Sequence, residues 1–232
     1  MIIPKMDRYE QEALLSPALA TLPPFVLLTY YYLQILLSGF MFALFGIVLG
    51  EISLSFVFVK LLMEVNRYIA KMLVENKQFK NELMMPTTDF LLYKNSTYSE
   101  DHKSKIRNKI RADFDKTLPS KREESTNELS ARQKIVEAVS LVRGKMKGGR
   151  LILQHNIHYG FTRNLIGGSY LALFVSTLDF YIFMLIAPNQ IASVISLLFI
   201  ILYGSILVFK KQILNALGKN YAKVLFQEYL GS

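Results

Sequence analysis

The sequence predicts an all-α membrane protein: four transmembrane helices arranged as two hairpins, with a helical cytoplasmic domain between the second and third. Three observations predict it. Hydrophobic residues make up 52% of the 232-residue chain and charged residues only 19%, against roughly 25% charge in a typical soluble domain. The charges are unevenly placed, with one in residues 13–59 (Glu51) and one in residues 164–209 (Asp179). All 27 Lys and Arg fall elsewhere: two in residues 1–12, 21 in residues 60–163 and four in residues 210–232.

A helix crosses the hydrocarbon core with about 20 apolar residues. The run 13–59 has 47 residues, enough for two crossings. Ser38-Gly39 is the natural reversal, because Gly accepts the φ values that a tight turn demands. Span 1 is therefore expected near 16–37 and span 2 near 40–59, with a kink or late start at Pro23-Pro24. The run is too long for the apolar region of a secretory signal, roughly 7–15 residues. The second run, 165–209, is split by Ala187-Pro188-Asn189-Gln190. Span 3 is expected at 165–186 and span 4 at 191–209. Lys and Arg mark the cytoplasmic side. An even number of spans then places both termini and the middle segment there. The expected organisation is 1–59 (N-terminal segment and hairpin 1), 60–163 (basic helical domain), 164–209 (hairpin 2) and 210–232 (cytoplasmic tail).

Residues 60–163 carry 21 basic and 12 acidic side chains. Leu61, Leu62, Val65, Ile69, Met72 and Leu73 recur at helical spacing, so span 2 should continue as a helix, with Pro86 ending it. Residues 87–98 read as a loop with a short strand. Ser99 ahead of Glu100-Asp101 is a helix start, and Leu118-Pro119 should stop that helix. A further helix is expected over about 128–146, striped by Leu129, Ile135, Val136, Val139 and Val142, and Gly148-Gly149 breaks the chain after it. Narrow apolar stripes predict helices that lean on one another, the membrane face and neighbouring subunits rather than on a core of their own. The basic excess suits anionic lipid. No aromatics interleave the basic helix, which argues against nucleic acid as a partner.

Candidate functional residues are few. Glu51 and Asp179 fall inside predicted spans, where carboxylates are costly and face a bundle interior or a wet path. Gln34 is a possible intramembrane partner. Gly46 and Gly50 form a GxxxG pair for close helix packing. Tyr159, Gly160, Phe161, Arg163 and Asn164 lie where the cytoplasmic segment becomes span 3. There Gly160 would allow a bend, aromatics would anchor and Arg163 would snorkel, so these residues are candidates for coupling domain to membrane. The absence of cysteine excludes disulfides, thiolate zinc sites and cysteine nucleophiles. No carboxylate stands beside His155 and His158, so no metal and no cofactor are expected. Arg150 and His155 share the spacing of HEPN-type ribonucleases, but apolar Leu151-Ile152-Leu153 between them reads as an interfacial helix. No phosphate loop, HExxH or serine elbow is present, so no enzyme is predicted.

Three segments together carry a resemblance. Asp7-Arg8-Tyr9-Glu10-Gln11-Glu12 precedes a first span containing Pro17. Leu118-Pro119-Ser120-Lys121-Arg122-Glu123-Glu124 stands in the middle. Asn156-Ile157-His158-Tyr159-Gly160-Phe161-Thr162-Arg163-Asn164-Leu165 leads into span 3. These resemble a group of small bacterial four-span inner-membrane proteins with a Tyr-Gly-Phe-x-Arg-Asn approach to the third span. This chain has Thr162 where those proteins place a first Arg, and Gln154-His155 where an acidic residue is usual. The resemblance implies a four-span architecture in a bacterial inner membrane and brings no activity with it. The architecture is also similar to that of membrane effectors of anti-phage defence systems. The expectation is a homo-oligomeric membrane protein that alters membrane integrity or ion permeability when triggered. The competing expectation is a membrane scaffold that recruits a soluble protein through residues 60–163.

Overall fold

The structure, a computed structural model, describes residues 6–36 and 51–232, with backbone alone for residues 32–36 and 51–55. The reversal at Ser38-Gly39 and the Gly46/Gly50 pair lie outside the described residues. Every element described is helical, and no strand occurs among the described residues. Three helices are long and apolar enough to cross a membrane, within Glu10–Tyr31, Arg150–Ile186 and Gln190–Gly231. The chain divides into two compact units.

The first unit comprises Met1–Val74 and Gly160–Lys210. A π-helical segment, Glu10–Leu15, leads into α1 (Ser16–Thr21), and α2 (Pro23–Leu36) follows after Leu22. The expected disturbance at Pro23-Pro24 is real, and its cause is chemical: a proline offers no N–H to the carbonyl four residues back. Pro24 thus withholds a bond from Ala20, and Pro17 withholds one from Ala13. Both carbonyls are served from distant helices. Asn164 Nδ2 donates to Ala13 O at 2.7 Å, and the Tyr203 hydroxyl donates to Ala20 O at 2.9 Å.

The helix α3 (Glu51–Ile69) passes into a π-helical segment, Ala70–Glu75. Leu62 and Met63 on α3 pack with Leu14 and Ala18 of the first helices, against Leu171 of a later one. Gly167 and Gly168 mark a close crossing with α3. A Cβ on Gly167 would lie 2.3 Å from Asn66 O, and one on Gly168 would lie 2.4 Å from Asn66 Nδ2. Asn66 Nδ2 meanwhile donates to Thr21 Oγ1 at 2.9 Å.

The second unit comprises Glu75–Tyr159 and Lys211–Ser232. After α4 (Asn76–Phe79) the chain turns through Lys80, Asn81 and Glu82, all with positive φ (46°, 54° and 73°). So the helix expected to run on to Pro86 ends well before it. That proline instead opens α5 (Pro86–Asp89), where its fixed φ suits the first turn and its missing N–H costs nothing. The stretch after α5 forms turns, not the short strand expected. Its backbone is tied down by charged side chains: Glu124 accepts from Tyr93 N and Lys94 N, buried Lys103 donates to Tyr93 O and Asn95 O, and Arg107 donates to Leu91 O and Pro119 O.

Each of the next three helices starts at a side-chain cap. Ser99 Oγ accepts from His102 N at the head of α6 (Glu100–Phe114). α6 closes at Asp115, short of Leu118-Pro119. Ser120 and Glu123 form a reciprocal capping box on α7 (Lys121–Thr126). Asn127 caps α8 (Glu128–Lys145). The helix α9 (Arg150–Tyr181) runs on through the π-helical segment Ile182–Ile186, and α10 spans Gln190–Gly231.

This unit has a core of its own, contrary to the narrow-stripe expectation. Ile106 and Ile110 from α6, Ile135, Val139 and Val142 from α8, and Ile152 meet Ala222, Leu225, Phe226 and Tyr229. The last four belong to the segment read as a tail, and they complete the core. Leu129, counted in the α8 stripe, is instead exposed.

Candidate functional site

The site is built on α9 and the start of α10. The buried face of α9 carries Ser169, Ala172, Ser176, Asp179 and Phe183, spaced three or four apart, while Phe174, Leu178 and Tyr181 turn outward. Along residues 190–203 of α10 the buried positions are Ala192, Ser193, Ser196 and Tyr203, and Ile191, Val194, Leu198, Ile201 and Leu202 are exposed. Broad apolar faces turned outward with polar residues turned inward are the pattern of helices solvated by lipid.

Asp179 is 0% exposed, and neither of its carboxyl oxygens has a hydrogen-bond partner among the described residues. The hydroxyls sharing its face are already engaged as donors. Ser169 bonds to Leu165 O and Ser176 to Ala172 O, both at 2.7 Å, and Ser196 bonds to Ala192 O at 2.8 Å. Ile182, Phe183 and Ala192 share one apolar cluster, sealed by Leu27, Leu28 and Tyr31 of α2. Further along the same two helices, Lys210 Nζ donates to the Tyr170 hydroxyl at 2.7 Å.

The other sequence candidates fall as follows. Glu51 opens α3 and Gln34 lies in α2, but their side chains are outside the described residues. The Tyr159–Asn164 stretch contains no bend, because α9 is continuous through it. Gly160 serves close packing instead. A Cβ there would lie 2.9 Å from the Tyr9 hydroxyl and 3.1 Å from Ala13 Cβ. Together with the Asn164–Ala13 bond, this docks the 160–164 stretch of α9 on the Tyr9–Ala13 segment. Phe161 and Arg163 are half-buried. The His155 and His158 rings stand 6.4 Å apart, and no group of three His, Asp or Glu suited to a metal occurs among the described residues.

Three participants escaped the sequence reading: Gly167-Gly168, the Asn66–Thr21 pair and Tyr203. The adjacent glycines were a visible signal, since small residues in a span permit close backbone approach. In the second unit, the Tyr229 hydroxyl donates to Asp113 Oδ2 at 2.8 Å and Lys145 Nζ donates to it at 2.7 Å. Lys145 and then Tyr229 hold the Asp113 carboxyl below its ordinary range.

No protein-family model, no curated protein and no solved structure matches this chain.

Proposed function

We propose that this chain is an oligomeric bacterial inner-membrane protein that alters ion permeability or membrane integrity when its basic cytoplasmic unit is triggered. The reading is non-enzymatic. It places four spans as two hairpins, with α3 continuing the second span and both termini in the cytoplasm. The contacts at Phe183–Ala192 and Tyr170–Lys210 support the second hairpin. The architecture is similar to that of anti-phage membrane effectors, and we take that as its setting.

One observation carries the reading. Asp179 is sequestered in a membrane-length helix, and its carboxyl oxygens have no hydrogen-bond partner among the described residues. Such a carboxyl lowers the stability of the resting fold, and a functional role explains its presence. Induced expression in bacteria with a membrane-potential dye tests it. Depolarisation that is lost in Asp179→Asn at equal membrane abundance is expected. Unchanged potential, together with a soluble protein that co-purifies through residues 75–159, would favour the scaffold reading. The independent core and capped helices of the second unit are what recommend that alternative.

A further inference from the structure

We infer that Asp179 is a proton-binding site, occupied in the arrangement described here and vacated when the helices around it part. The inference rests on the membrane reading above and names the ligand of that same site.

The argument begins with cost. An ionised carboxylate stripped of water and given no partner is too expensive to persist, so the group takes a proton instead. Compensation by a cation is not at hand, because residues 13–59 and 164–209 contain no Lys or Arg. The titratable groups on the surrounding elements are tyrosines. Tyr31 of α2 packs edge-on against Phe183 with ring centroids 5.1 Å apart, Tyr203 of α10 is committed to Ala20 O, and Tyr181 on α9 turns outward. Tyr170 holds Lys210, but it lies nine residues away along α9, about 13 Å at helical rise. The side chain of Glu51 is outside the described residues.

The neighbouring groups also select the neutral form. Ser176, one turn back on the same face of the helix, has spent its hydroxyl proton on Ala172 O. A hydroxyl has one proton and two lone pairs, so what this serine retains is acceptor capacity. A carboxylate offers only acceptors, whereas a protonated carboxyl brings the one donor such surroundings can use. A metal cation is a poor alternative, since hard cations want six or more oxygen ligands and the stripe offers one carboxylate.

The test uses the full chain reconstituted in liposomes. Infrared spectra at pH 7 should show a protonated-carboxyl stretch. Dicyclohexylcarbodiimide should abolish it: the acid proton moves to a carbodiimide nitrogen and the carboxyl oxygen bonds to the central carbon. Peptide mapping should place the adduct on Asp179, about tenfold above Glu64, whose side chain is 67% exposed. Above the titration midpoint, band and labelling should fall about tenfold per pH unit. The stretch should vanish in Asp179→Asn and persist in Asp179→Glu. A wild-type spectrum without that stretch from pH 5 to 8, or a stretch that carbodiimide removes by labelling a different carboxyl, overturns the inference. If the stretch is present but Asp179→Asn depolarises cells as the wild type does, the proton site stands and the permeability reading falls. If depolarisation requires Asp179 but no stretch exists, the reverse holds.

Discussion

The two units are held together by opposite means. The second is an aqueous core, in which Ile106, Ile110, Ile135, Val139, Phe226 and Tyr229 are buried together and caps and ion pairs dress the outside. The first has small apolar clusters and leaves much of its aliphatic surface exposed. Among the described residues its long-range hydrogen bonds are few: Asn164 to Ala13 O, Tyr203 to Ala20 O, Asn66 to Thr21 and Lys210 to Tyr170. Water drives apolar side chains together. Lipid does not, so helices there associate through close backbone approach and hydrogen bonds. The prolines of the first helix then take on a positive role. By withholding N–H groups, they create acceptors that residues on other helices fill.

Several substitutions can break or sharpen that contrast, and the largest effect is expected in the aqueous core. Ile135→Ala should cost the second unit about 2–5 kcal/mol, read as earlier denaturant unfolding and faster proteolysis within 75–159. The first unit's protease resistance should be unchanged. Gly167→Val comes next, because its Cβ would strike Asn66 backbone rather than a yielding side chain. The cost should be about 1–3 kcal/mol or more, seen as a lowered thermal midpoint in detergent.

Asn164→Ala should cost roughly 0.6–1.7 kcal/mol, the range for hydrogen bonds between membrane helices. Tyr203→Phe keeps the ring and should cost only about 0.6 kcal/mol. Thermal midpoints of both variants in detergent check these values. If Asn164→Ala proved as damaging as Ile135→Ala, the division into two physical regimes would fail.

The smallest effect concerns acid. Ser120, through its N–H and hydroxyl, and then Lys134 hold the Glu123 carboxyl down at about 2. A depressed carboxylate contributes stability above its unfolded value, about 4.3, and loses it as pH falls through the folded value. The α7 cap should therefore weaken between about pH 4 and about pH 2. Circular dichroism should show Glu123→Gln with a flatter acid profile than the wild type.

Much of this was legible from residue order alone. Long uncharged runs announced membrane-length helices, and Ser99 and the 128–146 periodicity announced two helices of the second unit. Lys80–Glu82 was not legible, because nothing local signals left-handed backbone at three residues other than glycine. Nor were the proline-freed carbonyls: Pro17 and Pro24 reveal an acceptor, but its donor lies far along the chain. The C-terminal contribution to the core was legible and overlooked. Ala222, Leu225, Phe226 and Tyr229 recur at i, i+3, i+4 and i+7, but a segment after the last span invites reading as a tail. Asp179 stood out at once, since a lone charge in a long apolar run has no bland neighbour to explain it. Its lack of a hydrogen-bond partner among the described residues required three dimensions.

The most direct test of the account is current recording across planar bilayers containing the purified full chain. The account predicts ion conductance that Asp179→Asn abolishes, with an activity that changes as pH crosses the Asp179 titration. Wild-type protein that inserts without conducting under any pH, or an Asp179→Asn variant with unaltered conductance and selectivity, would contradict it.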